Sequence, residues 1–176
     1  MAATFVEARI DINFYEEPWP EHGDIIALPQ LRCLYISDWH ILDFLTTPAL
    51  QEMAFSLDEA EASDLLDNLD PFLVRSACNL RRICFRGSPN DYPVIEVLQK
   101  YPFVTELVVI TNDTGAGLNA VCKAASTLIS HLTIPNIDPT WSAPVSPHLS
   151  VIDFGCSGPG PNPVTLLESF PFARTG

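Results

Sequence analysis

Two glycines, Gly115 and Gly117, come nearest to a pattern with cofactor chemistry. They follow a predicted strand, Leu107–Ile110, and Asp138 lies about twenty residues further on. In dinucleotide-binding proteins such glycines let the backbone approach a pyrophosphate at a helix N-terminus. The third glycine of that pattern is Ala120 here, and a loop between a strand and a helix would use the same glycines. We predict a loop and keep a small nucleotide-binding enzyme as the alternative.

The sequence contains no adequate pattern for a hydrolytic active site or for a metal site. The segment Gly155-Cys156-Ser157-Gly158 differs from the Gly-x-Ser-x-Gly turn that presents a nucleophilic serine. Cys33 and Cys84 have no base near them in sequence. The histidines show no zinc-binding spacing and lie far apart, at positions 22, 40, 131 and 148. We therefore predict no catalytic residue, no cofactor and no metal site.

A repeated phrase dominates the sequence: an apolar residue, two spacers, an apolar residue, one spacer and an apolar residue. Four copies carry a proline two residues ahead, and a weaker copy has Glu7 in the first position with Ile10 and Ile12 in the fourth and sixth. The copies begin 19 to 30 residues apart, close to the roughly 20–29 residues of a leucine-rich repeat. The six copies are Leu31/Leu34/Ile36, Leu50/Met53/Phe55, Leu80/Ile83/Phe85, Val104/Leu107/Val109, Ile129/Leu132/Ile134 and Leu149/Ile152/Phe154.

These copies predict an α/β fold, an irregular leucine-rich-repeat-like β-α solenoid with a parallel strand row and outer helices. We expect one repeat domain over residues 1–176, with about six to seven degenerate repeats, and a Pro/Gly-rich loop over 155–163. Proline ends a helix and favours extended geometry before it, so helix, proline and strand should alternate. The helix-compatible stretches are Ile41–Leu45, Ala60–Leu73, Val94–Tyr101, Leu118–Ala125 and Leu166–Phe170.

Alternation along a strand places the fourth and sixth residues of each phrase in the core and the third, fifth and seventh on a concave face. On that face we expect Val108 and Ile110 to be an exposed aliphatic pair. Arg82 and Arg86 could anchor an acidic or phosphorylated target, or form salt bridges with glutamates on flanking strands, which we favour. The predicted protein-binding residues are Arg9, Asp11, Tyr35, Glu52, Arg82, Arg86, Glu106, His131 and Asp153.

Composition limits the kinds of binding partner and the cellular compartments that we expect. The net charge of −13 argues against nucleic acid, which needs basic side chains on one face. We find no apolar run of membrane-spanning length and no secretory signal pattern, so we expect no membrane partner and a cytoplasmic or nuclear location. Five scattered cysteines fit reduced core residues in such a compartment. The acidic stretch from Asp58 to Asp70 fits the solvated face of an outer helix.

Two phrases carry a family resemblance: Leu45-Thr-Thr-Pro-Ala-Leu50 and Arg75-Ser-Ala-Cys-Asn-Leu80. With Leu28-Pro-Gln-Leu-Arg-Cys-Leu-Tyr-Ile36, they resemble the leucine-rich C-terminal region of F-box-like proteins of mushroom-forming fungi, over about Ile10 to Phe172. The resemblance implies target recognition in an SCF-type ubiquitin ligase. We find no F-box-like segment ahead of the first repeat, so a Skp-type adaptor is implied only if an F-box lies outside this chain. The sequence thus predicts a non-enzymatic protein-interaction module, with a stand-alone scaffold as a further alternative.

Overall fold

A parallel sheet of six strands organises the part of the chain that the computed structural model describes, residues 6–11, 23–57, 65–87, 91–112, 126–130 and 148–157. Helices pack on one face of this sheet, so the fold is α/β. The strands are β1 (Glu7–Ile10), β2 (Ile26–Ala27), β3 (Cys33–Ile36), β4 (Leu45–Thr46), β5 (Glu52–Leu57), β6 (Arg82–Gly87), β7 (Glu106–Asn112) and β8 (Val151–Ser157). The predicted α/β class with a row of parallel strands is confirmed.

The strands of the large sheet follow one another in chain order, β1-β3-β5-β6-β7-β8, and every neighbouring pair is parallel. Equivalent positions of successive phrases pair directly, as in Leu34 with Met53 and Phe55 with Phe85. The short strands β2 and β4 form a second parallel pair. From β3 to β8 the repeat register is also the pairing register, so each row across these strands contains the same phrase position. The predicted register of the first copy is wrong, because Ile10, expected at the fourth position, pairs with Ile36 at the sixth.

A ladder of backbone hydrogen bonds joins the residues just before the strands. In each unit the amide of the second phrase residue donates to the carbonyl of its counterpart in the preceding unit, at 2.7–2.9 Å. The ladder runs from Val6 through Arg32, Gln51, Arg81 and Thr105 to Ser150. The hydroxyls of Thr105 and Ser150 also donate to the carbonyls of Arg81 and Thr105. Each unit is therefore held in register by the one before it.

The repeated prolines occupy tight turns ahead of the strands. Proline fixes φ near the value that the second residue of such a turn requires, and it has no amide hydrogen to leave unbonded there. The carbonyl of the residue before the proline accepts from the amide two residues after the proline, at 3.1–3.2 Å. These turns are Leu28-Pro29-Gln30-Leu31, Thr47-Pro48-Ala49-Leu50 and Tyr101-Pro102-Phe103-Val104.

The helices lie where they were predicted, but they begin and end at different residues. A 3-10 helix covers Trp39–Phe44 where Ile41–Leu45 was predicted. Helix α1 covers Leu65–Ser76 and continues through the exposed Pro71, whereas the prediction ended at Leu73. Helix α2 covers Asp91–Lys100. Residues 126–130 are helical, and the predicted stretches Leu118–Ala125 and Leu166–Phe170 lie outside the described residues.

The core lies between the helices and the apolar face of the sheet. Leucines and Phe72 of α1 and the apolar residues of α2 join one cluster with the strands. The predicted inward positions are confirmed in β3, β5, β6 and β7, where each is at most 3% exposed. In β8, at the end of the sheet, Ile152 is 37% exposed, because no further described strand covers that side.

Two predictions near the end of the chain are wrong. Ile129 was predicted to open a strand phrase, but it lies in the helical segment 126–130 and is 45% exposed. Strands β7 and β8 pair with each other over seven positions, so no strand is inserted between them. The loop predicted over 155–163 begins later, because β8 continues through Ser157 and Gly155 pairs with Ile110. A Cβ at Gly155 would lie 3.7 Å from Ile110, an ordinary contact, so glycine is not needed there.

Candidate functional site

The face of the large sheet opposite the helices carries the polar side chains, and we call it the polar face. It consists of three rows of paired positions, each running across the strands. The amino-end row is Glu7, Cys33, Glu52, Arg82, Glu106 and Val151; the middle row is Arg9, Tyr35, Ala54, Cys84, Val108 and Asp153; the carboxyl-end row contains Ser56, Arg86, Ile110 and Gly155.

The structure brings together most of the predicted binding residues. Arg9, Tyr35, Glu52, Arg82, Arg86, Glu106 and Asp153 all belong to strands of the polar face. Asp11 directly follows β1 and bonds to Arg9. His131 lies outside the described residues.

Arg82 lies between two glutamates in the amino-end row. Its guanidinium nitrogens are 3.8 Å from a carboxylate oxygen of Glu52 and 3.6 Å from one of Glu106. These separations exceed hydrogen-bonding distance but permit a strong Coulomb attraction, since the Arg82 side chain is only 11% exposed. The salt-bridge interpretation of Arg82 is confirmed, and this arginine is already engaged within the chain.

The amino-end row is a region of excess negative charge. Burial raises the pKa of Glu52, and the carboxylates of Glu106 and Glu7 raise it further, while Arg82 opposes them. Burial also raises the pKa of the Cys33 thiol to about 11, with Glu52 and Glu7 adding to the effect. Cys33 therefore stays protonated at neutral pH, which works against a nucleophilic role.

The centre of the polar face is apolar and buried, which the sequence reading missed. Ala54, Cys84, Val108 and Ile110 form a cluster against which Tyr35 packs. Val108 is 5% exposed and Ile110 is 9% exposed, so the predicted exposed aliphatic pair is wrong. Burial raises the pKa of the Cys84 thiol to about 12. The signal that could have identified this cluster is the run of small and aliphatic residues at the fifth phrase position of three successive units.

A chain of side-chain contacts crosses the first strands of the polar face. The guanidinium of Arg9 lies 4.9 Å from the centre of the Tyr35 ring and donates to a carboxylate oxygen of Asp11. Tyr35 shares a side-chain hydrogen bond with Ser56. Burial raises the pKa of the Tyr35 phenol, so its hydroxyl keeps its proton at neutral pH. Arg9 is thus held by Asp11, and the two hydroxyls form a polar pair next to Arg86.

Arg86 completes the carboxyl-end row. It pairs in register with Ser56 on β5 and with Ile110 on β7, and it is half-buried. Within the described part of the chain, no carboxylate forms a salt bridge with it. Gly87 follows with φ of 129° at the end of β6, a conformation that glycine adopts without strain. Among the described residues, Arg82 therefore has carboxylate partners and Arg86 has none.

The two phrases behind the family resemblance contact each other far from the polar face. The Arg75 guanidinium donates to the carbonyls of Leu42 and Leu45, the latter at 3.1 Å from two nitrogens. The Ser76 hydroxyl accepts from the amide of Thr47 at 3.1 Å. We call these contacts the Arg75 clip. It fixes the end of the 3-10 helix and the next strand onto α1, so these motif residues support the architecture.

Metal-binding geometry and helix length can be assessed for the described residues. These residues contain no group of three or more histidine, cysteine, aspartate or glutamate side chains placed to hold a metal ion. None of the helices they form is long and apolar enough to cross a membrane. Gly115, Gly117 and Asp138 lie outside the described ranges.

Comparison of the chain with protein-family models, with curated proteins and with solved structures finds no match. Function can therefore be inferred only from the geometry of the polar face and from the sequence pattern. Both are properties of the named residues and their spacing.

Proposed function

We propose that this chain is an irregular leucine-rich-repeat-like β-α solenoid that binds a target protein on its polar face and has no enzymatic activity. The observation that carries the proposal is the sheet itself. Its six parallel strands follow chain order, and equivalent phrase positions pair from one strand to the next. Repeat proteins stack units in this way and use the resulting continuous surface to bind partners.

The side chains of the polar face suit recognition of a protein. An aromatic residue, Tyr35, lies beside charged groups of both signs, and Asp153 is exposed at the other side of the buried apolar centre. Protein interfaces combine aromatic and arginine anchors with a polar surround. Because these side chains stand on paired strands and several are held by ion pairs, little conformational freedom would be lost on binding.

The setting we propose is target recognition in an SCF-type ubiquitin ligase, in the cytoplasm or nucleus. Support comes from the resemblance of the phrases containing Thr47 and Arg75 to the leucine-rich region of fungal F-box-like proteins. In that arrangement the polar face holds the target. A Skp-type adaptor would bind an F-box located outside this chain.

The test is quantitative capture of proteins from the organism's own cells with the tagged chain. We expect the double variant Tyr35→Ala/Asp153→Arg to lose most captured proteins, because both positions lie on the polar face. The matched control is Val74→Arg, at a position that is 77% exposed on α1. It introduces the same arginine elsewhere and should capture like the unaltered chain.

Two results would count against the proposal. Equal capture by the double variant and the unaltered chain would show that the polar face is not the binding surface. Absence of cullin-dependent ubiquitination of the captured proteins in those cells would remove the ligase setting and leave a stand-alone binding module. Thermal unfolding of each variant checks that lost capture does not reflect lost folding.

A further inference from the structure

Arg86 differs from the other cations of the described residues. Arg9, Arg82 and Lys100 each form a salt bridge, and Arg75 is held by backbone carbonyls. Arg32 and Arg81 are exposed in the ladder that precedes the strands. Arg86 is half-buried on the polar face with no carboxylate partner in the part of the chain that the structure describes. In a protein of net charge −13, such a cation is a candidate to bind an anion from outside.

Hydroxyl groups lie beside this cation. Ser56 is its direct partner across the β5–β6 pair, and Tyr35 reaches Ser56 through a side-chain hydrogen bond. That bond uses one of the two hydroxyl hydrogens, so the other is available to an oxyanion. Arg86 is close enough to Tyr35 to act electrostatically on its phenol. The guanidinium and the hydroxyl pair therefore converge on one part of the carboxyl-end row.

We propose that Arg86, Ser56 and Tyr35 form an anchor for a phosphorylated side chain of the target protein. The proposal rests on the proposed function and specifies the partner's chemistry. An arginine fork binds two oxygens, which would use both oxygens of a carboxylate. A phosphate has a third oxygen, and the free hydroxyl hydrogen of the Tyr35–Ser56 pair is placed to donate to it. The three donors together thus suit a phosphate better than an aspartate or glutamate.

The charges around the anchor are arranged to admit an anion. From Ser56 to Gly155 the carboxyl-end row contains Arg86 and no carboxylate. The glutamates of the polar face lie in the amino-end row, four residues away along each strand, where Arg82 partly neutralises two of them. Asp153 lies in the middle row, on the second strand from Arg86, and is exposed. Asp11, at the β1 end of the face, is paired with Arg9. An extended target would place its phosphate over Arg86.

The direct test uses three pools of immobilised degenerate peptides that differ only at a fixed central residue: phosphoserine, serine or glutamate. We expect the purified full chain to bind the phosphoserine pool best. Arg86→Gln should weaken that binding about tenfold, since it removes the charge-assisted fork. Ser56→Ala should weaken it about threefold, through loss of one neutral donor. The matched control Arg81→Gln removes an exposed arginine and should bind like the unaltered chain.

Two outcomes of the peptide test reject the anchor: equal binding of the phosphoserine and glutamate pools, or equal binding by Arg86→Gln and the unaltered chain. A second arm captures proteins from cell lysate with and without phosphatase treatment. If Tyr35→Ala/Asp153→Arg loses its captured proteins while phosphatase and Arg86→Gln change nothing, the anchor is rejected and the proposed function stands. If the double variant captures normally, both proposals are rejected.

Discussion

At the scale of single residues, two arginines four positions apart on β6 have opposite roles. Arg82 is enclosed by Glu52 and Glu106 on the flanking strands, so its charge is used to hold the sheet together. Arg86 faces Ser56 and Ile110 instead, so its charge is not cancelled by its paired neighbours. The difference arises from the residue types at the third and seventh phrase positions of neighbouring units.

Replacement of Arg82 by glutamine should destabilise the protein by about 1–2 kcal/mol at pH 7. The change leaves Glu52 and Glu106 without the cation between them, and the partners are partly exposed, which limits the cost. The measurement is urea unfolding of both proteins. Arg81→Gln, one residue earlier and exposed, is the control and should change stability by less than about 0.5 kcal/mol.

The cost of Arg82→Gln should shrink as the pH falls. The folded-state pKa of Glu52 is raised, so its charged form opposes folding above that pKa, and protonation on lowering the pH relieves this. Arg82 acts only on the charged form. The stability gap between the two proteins should therefore be narrower at pH 4.5, the ordinary glutamate pKa, than at pH 7. An equal gap at both pH values would mean that the Arg82 effect is not electrostatic.

The sequence could predict which side chains share the polar face because strand alternation has a fixed period of two. It also favoured the correct partners for Arg82, since equivalent positions of adjacent strands pair. Alternation within one strand did not predict that Val108 and Ile110 are buried, although small and aliphatic residues at the fifth phrase position of three successive units were a signal across the strands. Exposure on that face depends on the three-dimensional surroundings of β6 and β7, which the local pattern does not contain.

At the scale of elements, the Arg75 clip fastens the 3-10 helix to α1. One guanidinium donates to the carbonyls of Leu42 and Leu45 where the 3-10 helix ends. The Leu42 carbonyl also accepts from the backbone amide of Leu45. Thr47, at the start of the next turn, donates its amide to Ser76. The helix and the turn are therefore positioned by polar contacts as well as by apolar packing.

Arg75→Met should destabilise the protein by about 1–3 kcal/mol, because the variant keeps the length of the side chain but loses the charged donor to the carbonyls of Leu42 and Leu45. Urea unfolding measures this cost. Arg81→Met makes the same chemical change at an exposed position and serves as the control. Equal effects of the two substitutions would contradict a structural role of the clip.

The positions of the helices, strands and turns were easier to predict than the residues at which they begin and end. The prolines at 29, 48 and 102 mark the turns because proline fits the second turn position, so the phrase starts were correct. Pro71 marks no helix end, since both the predicted stretch Ala60–Leu73 and α1 continue through it, but α1 extends beyond that prediction to Ser76. The failure at Ile129 has another cause: apolar spacing there fits a helix as well as a strand, and only pairing of β7 with β8 decides between them.

At the scale of the whole molecule, stability depends on apolar contacts that pass from unit to unit. Phe55 and Phe85 stack with ring centres 5.8 Å apart and are at most 1% exposed. They join β5 to β6 in the middle of the sheet, beneath the polar face. Disruption at this point affects both halves of the strand row.

Phe85→Ala should therefore destabilise the protein by about 3–5 kcal/mol, the usual cost of removing a fully buried aromatic ring. This is a large share of the roughly 5–15 kcal/mol that holds a typical domain folded. Urea unfolding and the thermal midpoint measure the effect. Phe103→Ala, at a position that is 68% exposed, should cost less than about 1 kcal/mol. A similar cost for both would mean that the Phe55–Phe85 contact is not central to the core.

The backbone ladder has a consequence for the order in which the sheet is assembled. Its step from Arg81 to Thr105 spans 24 residues, but the step from Thr105 to Ser150 spans 45. A longer loop makes closure entropically less favourable, and β8 brings exposed Val151 and Ile152 to the contact, so little burial compensates. Strand β8 should thus pair with β7 after the folding transition state and detach early during unfolding. Substitutions in β8 would then change the unfolding rate more than the folding rate.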